Sequence, residues 1–363
     1  MKITDIHIQH HRIDVEPPYP AAWDSVPRGS FAASIVRVET DAGVVGIGSG
    51  DTCFGFEEAY KQYFIGQDLD DIDHLHGMLN NIAFHHSRCW PIDLAFWDAR
   101  GKAAGQSVAS MLGAKTDKVP LYCSTGSLRS AQALSHEAKQ RVAEGYRAIK
   151  LRFGRADWRD DVAVAEAVRD AVGPDVDLMV DMNQGWRMPW DTQAPKPWDE
   201  VAEIEKALRP VGIYWLEEAL HRADVDGYVR LRKQAHCRLS GGEMTREVYE
   251  GEALLKAGAL DVYQQDCALV GGITGLMAFA EKVRAHGAVF TPHTWGNGIQ
   301  LLANAHLLAA TFPDAYLEYP LDPPEWTEAS RDFLQAKPVV PINGFMSVET
   351  GPGLGFALGG AYA

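Results

Sequence analysis

Leu178-Met179-Val180-Asp181-Met182-Asn183 decides how the rest of the chain is read. Three apolar residues run into an aspartate, and Pro174 and Gly185 bracket the stretch, the pattern of a short buried strand with turn signals at its ends. A carboxylate at the C-terminal end of such a strand is costly to bury without a partner. The same pattern recurs downstream. Tyr214-Trp215-Leu216 runs into Glu217-Glu218, Arg238-Leu239-Ser240-Gly241-Gly242 into Glu243, and Val262-Tyr263-Gln264-Gln265 into Asp266. Val289-Phe290-Thr291-Pro292 then runs into His293 and Tyr316-Leu317 into Glu318. Successive strand ends lie 23 to 36 residues apart, room for one strand and one helix.

Working outward, strand-like runs at 120–125, 148–153, 178–183, 214–219, 238–243, 262–266, 289–293 and 316–320 alternate with amphipathic stretches. One of these is Trp158 to Val172, where Val162, Ala165, Val168, Ala171 and Val172 recur at helical spacing. Eight strands with seven helices between them predict an α/β protein with a modified (β/α)7β TIM-type barrel over residues 121–325, whose active site lies at the C-terminal strand ends. Upstream, residues 1–15 read as a strand, and 16–30, with Pro17, Pro18, Pro20 and Pro27, as a loop. Ser34–Thr40 and 44–48 read as a hairpin, and 56–115 as helical, so residues 1–120 are expected to form an α+β capping domain. Residues 326–363, rich in proline and glycine, are expected to return from the barrel to that domain.

Composition narrows the function. The 363 residues carry a net charge of −15 with no basic cluster, which argues against nucleic acid and anionic membrane partners. No apolar run reaches the ~18 residues of a membrane span, and Met1-Lys2-Ile3-Thr4-Asp5 starts no signal peptide. The five cysteines are scattered with no CxxC, as expected of buried thiols in a reducing compartment. A cytoplasmic location is the expectation.

Asp181, Glu217 and Glu243 end consecutive strands, and neighbouring strands lie ~4.8 Å apart, so the three carboxylates converge. Like charges in one pocket repel, a divalent cation removes the conflict, and an all-oxygen donor set favours Mg²⁺ over Zn²⁺. Lys150 and Arg152, one residue apart on a strand, share a face and point two cations into the same mouth. Asp266 and His293 end adjacent strands, where the aspartate can fix the imidazole tautomer and make a general base. Glu318 is a candidate acid or donor at a substrate carboxylate. Trp295 is expected to line the pocket; Trp186, Trp190 and Trp198 read equally well as a lid or as packed loop aromatics. Gly353-x-Gly355 lacks the third glycine of a dinucleotide fingerprint, and His85-His86 with Cys89 lacks a second ligand pair for zinc.

These pieces together resemble the enolase superfamily in its mandelate racemase-like branch, the mandelate racemase/muconate lactonizing enzyme family. Asp93-Leu94-Ala95-Phe96-Trp97-Asp98 followed by Gly101-Lys102 resembles the signature at the end of that family's capping domain. Lys150-Leu151-Arg152 lies at the Lys-x-Lys place, Asp181-x-Asn183, Glu217-Glu218 and Gly242-Glu243 at the metal strands, Asp266 and His293 at the dyad, and Glu318 at the last strand. Gly351-Pro352-Gly353-Leu354-Gly355 is similar to the closing segment. The resemblance implies an enzyme that removes, with Mg²⁺ assistance, a proton α to the carboxylate of a small-molecule substrate, and a homo-oligomer is the expectation that goes with it. Arg152 departs from it, since arginine stays protonated and makes a poor base. A one-base route through His293 follows, and two-base racemisation is disfavoured.

The polar groups Asn183, Gln184, Arg152, Thr294 and Asn297 suggest a polyol chain. The leading expectation is therefore dehydration of an aldonate or aldarate to a 2-keto-3-deoxy acid. A cycloisomerase of a sugar-acid lactone or anhydro sugar acid comes second, a racemase or epimerase third, and a non-catalytic metal-dependent binding barrel is the alternative outside enzymes. Trp23 and Arg28, in the loop of the capping unit, are expected to set substrate choice together with Asn183, Trp295 and Asn297.

Overall fold

The computed structural model of the chain describes residues 1–50 and 53–363. Three antiparallel strands open it: β1 (Ile3–Tyr19), β2 (Arg28–Thr40) and β3 (Val45–Gly50). The loop expected at 16–30 is shorter than the prolines suggested, because β1 continues to Tyr19 and β2 begins at Arg28. The ladder skips from the Asp14–Ser30 pair to the Tyr19–Arg28 pair, so Pro17 and Pro18 sit where no ladder bond needs an N–H. Only 20–27 is loop.

The helix Pro91–Ala104 lies directly on β3: a Cβ on Gly48 would come within 1.9 Å of the Pro91 carbonyl oxygen. Its signature residues join this unit to the barrel. Asp93 accepts from the Thr274 hydroxyl at 2.6 Å, Trp97 Nε1 donates to the same hydroxyl at 2.9 Å, and Asp98 accepts from Ile47 N and Leu354 N.

Eight parallel strands follow: β4 (Lys118–Ser124), β5 (Ala148–Arg152), β6 (Asp177–Asp181), β7 (Trp215–Glu217), β8 (Arg238–Gly241), β9 (Val262–Tyr263), β10 (Val289–Phe290) and β11 (Leu317–Pro320). They pair in chain order, with β11 returning to β4, and curl into the expected barrel. The seam between β10 and β11 is bridged by side chains: the Thr291 hydroxyl donates to the Tyr316 carbonyl at 2.5 Å, and the Thr294 hydroxyl to the Glu318 carbonyl at 2.6 Å. The segment after 326 bonds to the first unit through Leu354 and Asp98, and it also adds a strand the sequence did not reveal, β12 (Phe345–Ser347), antiparallel to β4.

Period-two alternation explains what each strand presents. Outward residues Ile149, Leu151, Leu178, Val180, Leu216 and Leu239 pack on the surrounding helices in one large apolar cluster. Inward residues form two layers. Tyr122, Ala148, Met179, Trp215 and Val262 close the lower barrel, and two residues further along β5, β6 and β7 stand Lys150, Asp181 and Glu217. None of the five cysteines is in a disulfide, and no helix among the described residues is long and apolar enough to cross a membrane.

Candidate active site

Strand register sets the floor. Arg152 is opposite Asp181, and Asp181 opposite Glu217, so three charged side chains stand side by side at the strand ends. Lys150 Nζ lies 2.5 Å from Glu217 Oε1, 2.8 Å from Glu318 Oε1 and 3.6 Å from Asp181 Oδ2. Arg152 pairs with Asp181 through Nη1, donates from Nη2 to Ser124 Oγ at 3.1 Å and from Nε to the Thr125 carbonyl at 2.7 Å. Burial works against both cations, but the surrounding carboxylates outweigh it and hold each more firmly protonated than in water. Glu318 shows the converse: burial pushes its carboxyl up, and Lys150, His293 and Arg152 bring it well below the usual carboxylate range. Its oxygens accept from Lys150, Ser124 Oγ (2.7 Å) and Thr294 N (2.9 Å). The expected acid is thus a firmly held anion, because two cations and two further donors converge on it.

Asp181, Glu217 and Glu243 each offer an oxygen, all within 4.8 Å of one another and all buried. Burial raises Glu217 to about 8 even with Lys150 beside it, and burial also raises Glu243. Glu243 Oε2 and Asn183 Oδ1 are buried without a hydrogen-bond partner. Crowded carboxylates pushed toward protonation, an unpartnered oxygen among them and an all-oxygen donor set fit a hard divalent cation of the Mg²⁺ kind.

His293 sits across from this group. Its Nδ1 lies 3.3 Å from Asp266 Oδ2, and its Nε2 faces Glu243 Oε2 and Glu318 Oε2, each at 3.9 Å. Burial opposes the imidazolium, yet Glu243, Glu318 and Asp266 together raise the ring to about 10. Neutralising Glu243, the strongest of those attractions, lowers it toward the range a base needs. Asp266 is itself oriented: its Oδ1 accepts from Ala268 N at 2.9 Å and from Asn304 Nδ2 at 2.8 Å. Asn304 also donates to the His293 carbonyl at 3.3 Å and accepts from Cys267 N at 3.0 Å, so one amide holds both halves of the dyad.

Above the floor is a cavity of about 710 Å³. Arg152, Asn183, Glu243, Asp266, His293 and Trp295 line its lower part, and Trp23, Arg28, Trp186, Met188 and Trp190 its upper part. Lys150, Asp181, Glu217 and Glu318 are fully buried and do not line it. Trp186 Nε1 donates to Glu243 Oε1 at 2.7 Å, and Trp190 Nε1 to Asp24 Oδ1 at 3.0 Å, so both join the roof. Trp198 instead heads a helix and donates to the Gly227 carbonyl.

Several polar groups expected at the substrate are engaged elsewhere. Asn297 lines the cavity, but its Oδ1 caps a helix through Ile299 N (3.0 Å) and Gln300 N (3.3 Å), while its Nδ2 donates to Ser49 Oγ and Gln300 Oε1. Gln184 braces the 182–197 segment through Arg187 and Lys196 N, and Thr294 holds Glu318. The wall therefore offers indoles, Phe31, Met188, Met244 and Leu269 more than a row of hydroxyl partners. Asp24, Ser124, Asn304 and the Gln264 amide, 2.9 Å from Glu217 Oε2, escaped the sequence reading. A buried amide among the leucines and alanines of the 298–311 helix was the available signal for Asn304, a weak one because Gln300, His306 and Thr311 are buried on the same helix.

Barrel, strand-end carboxylates and dyad define a member of the enolase superfamily. Residues 3–113 match the N-terminal domain of the mandelate racemase / muconate lactonizing enzyme family, and 133–361 match its enolase C-terminal domain-like unit. The chain belongs to that family. It is 31% identical to the D-galactarolactone cycloisomerase of Agrobacterium fabrum, with 99% of this chain and 97% of that one covered. It is 27% identical to the L-talarate/galactarate dehydratase of Salmonella typhimurium over 83% of this chain and 74% of that one. Among solved structures, an enolase from alpha pretobacterium bal199 with bound Mg superposes with a TM-score of 0.81 at 25% identity, covering 98% of this chain and 97% of that one.

Proposed function

We propose that this protein opens the ring of a sugar-acid lactone by β-elimination, beginning with removal of the proton α to the free carboxylate: a Mg²⁺-dependent cycloisomerase. The inventory of proton carriers supports this reading. Of the charged groups that meet the cavity, Arg152 is held protonated, and His293 becomes the one suited to take up and release a proton once a bound cation offsets Glu243 and lowers the ring from about 10. Lys150 is sealed within the floor, out of reach of the cavity, and Glu318 is held as an anion. A leaving group that departs without a proton suits such a site, and the ring-ester oxygen of a lactone leaves as a carboxylate.

In this reading Asp181, Glu217 and Glu243 hold the metal, which, when bound, stabilises the negative charge that builds on the substrate carboxylate. His293 Nε2 takes the α-proton and Asp266 keeps Nδ1 protonated. The C–H pair becomes the double bond to the β-carbon, and the C–O bond there breaks with its pair passing to the departing carboxylate. The resulting enol takes a proton at the β-carbon, gives up the proton of its hydroxyl, and becomes a 2-keto-3-deoxy diacid. Arg152 donates to the substrate carboxylate, and the aromatic wall receives the ring.

Dehydration of an open-chain sugar acid, placed first by the sequence, becomes the second reading. It is favoured by the dehydratase relative and by the ability of His293 to return its proton to a hydroxyl leaving on the same face. Galactaro-1,4-lactone and galactarate, each followed by proton NMR in D₂O with Mg²⁺, separate the two. Consumption of the lactone alone supports ring opening, and consumption of galactarate alone replaces that reading with dehydration. Inertness of both, with no α-exchange in either, rejects both.

A further inference from the structure

Arg152 has a second set of neighbours besides the carboxylates. Its guanidinium carbon lies 4.8 Å from the centre of the Trp23 ring and 5.0 Å from that of Trp295. The two indoles meet edge to face at 4.7 Å. Trp295 is fixed, because it stacks on Tyr19 and Trp326, and a Cβ on Gly126 would fall 2.6 Å from its ring. Trp23 belongs to the 20–27 loop, whose backbone reaches the barrel through Ala22 N and the Gly126 carbonyl at 2.8 Å.

We infer that Arg152 is a positioning residue for the roof: held in the floor by Asp181 and Ser124, its guanidinium pins Trp23 over the reacting groups and so sets which ligand shapes the cavity admits. Arginine suits this double task. A planar, weakly hydrated guanidinium stacks on an aromatic face while its edge donates to carboxylates, whereas the compact, strongly hydrated ammonium of lysine does one or the other. The arginine at this place on β5 thus contributes to selection as well as to charge. The inference goes beyond the elimination proposed above and does not depend on it, since its main readout needs no substrate.

Hydrogen exchange of the free protein, followed by mass spectrometry, provides the test. Arg152→Lys keeps the charge and removes the plane. Exchange of the amides from Ala21 to Asp24 should quicken by about 2- to 30-fold, the range cation–π contacts span from exposed to desolvated sites, while strands β6 to β8 keep their protection. Trp23→Leu should reproduce the effect, and adding Arg152→Lys to it should quicken exchange no further. Unchanged protection of 21–24 in a folded Arg152→Lys protein, or effects of the two changes that multiply, would overturn the inference. Should Arg152→Lys fail to fold, Trp23→Phe and Trp23→Leu decide without touching the floor. Phenylalanine, which keeps an aromatic face, should retain the protection that leucine loses, and equal behaviour of the two would reject the latch.

Discussion

The floor of the cavity and its roof are built by different means. The floor comes from strand ends, its groups are buried apart from the edges that Arg152, Glu243 and His293 show to the cavity, and each charge meets two or more partners, as Lys150 does between 2.5 and 3.6 Å. Removing one partner there leaves a buried charge uncompensated, a loss of about 3–5 kcal/mol. The roof comes from two coil segments, 20–27 and 182–197, joined through the Asp24 carboxylate, which accepts from Arg28 and Trp190. Trp190 remains 54% exposed. In the proposed reading, reaction chemistry sits where the backbone is rigid and selection where it can vary. Changes in the floor should alter turnover, and changes in the roof affinity and preference.

The largest effect is expected at His293. His293→Asn should lower kcat by about 10²- to 10⁴-fold, the usual contribution of a positioned base, and abolish exchange of the α-proton in D₂O. Exchange that survives there and disappears in Arg152→Lys would move the base to β5 and break the division between the two regions.

Next in size is the metal. Chelation should abolish turnover. Mg²⁺ at about 100 times its Kd should add roughly 2.7 kcal/mol of stability and raise Tm by about 2–5 °C. Glu243→Gln should lose that thermal shift while still folding, because Glu243 sits after the end of β8 rather than inside it. A full Mg²⁺-dependent shift in Glu243→Gln would remove Glu243 from the metal site.

How far the sequence could be read divides along the same line. The floor was legible because a strand has a period of two: an apolar run ending in a charge announces both the element and the direction of the side chain. Asp181, Glu217 and Arg152 were found that way, and register brings them together. The roof has no period to read. Pro17 and Pro18 suggested a loop where β1 continues, since a proline is harmless wherever the ladder has a gap. Asn297 offered an amide beside the dyad, but local competition for helix-end N–H groups claimed it. Asn304 lies 38 positions from Asp266, and only the fold brings the two to 2.8 Å.

That amide yields the third prediction, intermediate in size. Asn304→Ala should lower kcat by about 10-fold with KM little changed, because it loosens the dyad without touching the cavity wall. Asn304→Asp, which places a second carboxylate against Asp266, should do worse than alanine. If KM rises while kcat holds, Asn304 belongs with the roof and the division is wrong at this point.

The smallest effect is expected at Arg28, and it tests the roof side directly. Arg28 lines the cavity and gives one ion pair to Asp24, at 3.0 Å, with about a quarter of its side chain exposed. A partly exposed pair of this kind is worth at most about 1 kcal/mol, and Asp24 keeps Trp190 Nε1 and Val26 N when the guanidinium is removed. Arg28→Ala should therefore leave Tm within about 2 °C of the native value. A substrate group that hydrogen-bonds the guanidinium loses about 1 kcal/mol, so KM should rise by roughly 5-fold with kcat nearly constant. The rise should be greater for a ligand with a second carboxylate than for one with a hydroxyl at the same place, because the charged partner forms the stronger bond. If Arg28→Ala lowers kcat as much as KM changes, roof and floor act as a single unit; if neither constant moves, Arg28 braces the loop and selection rests with Trp23.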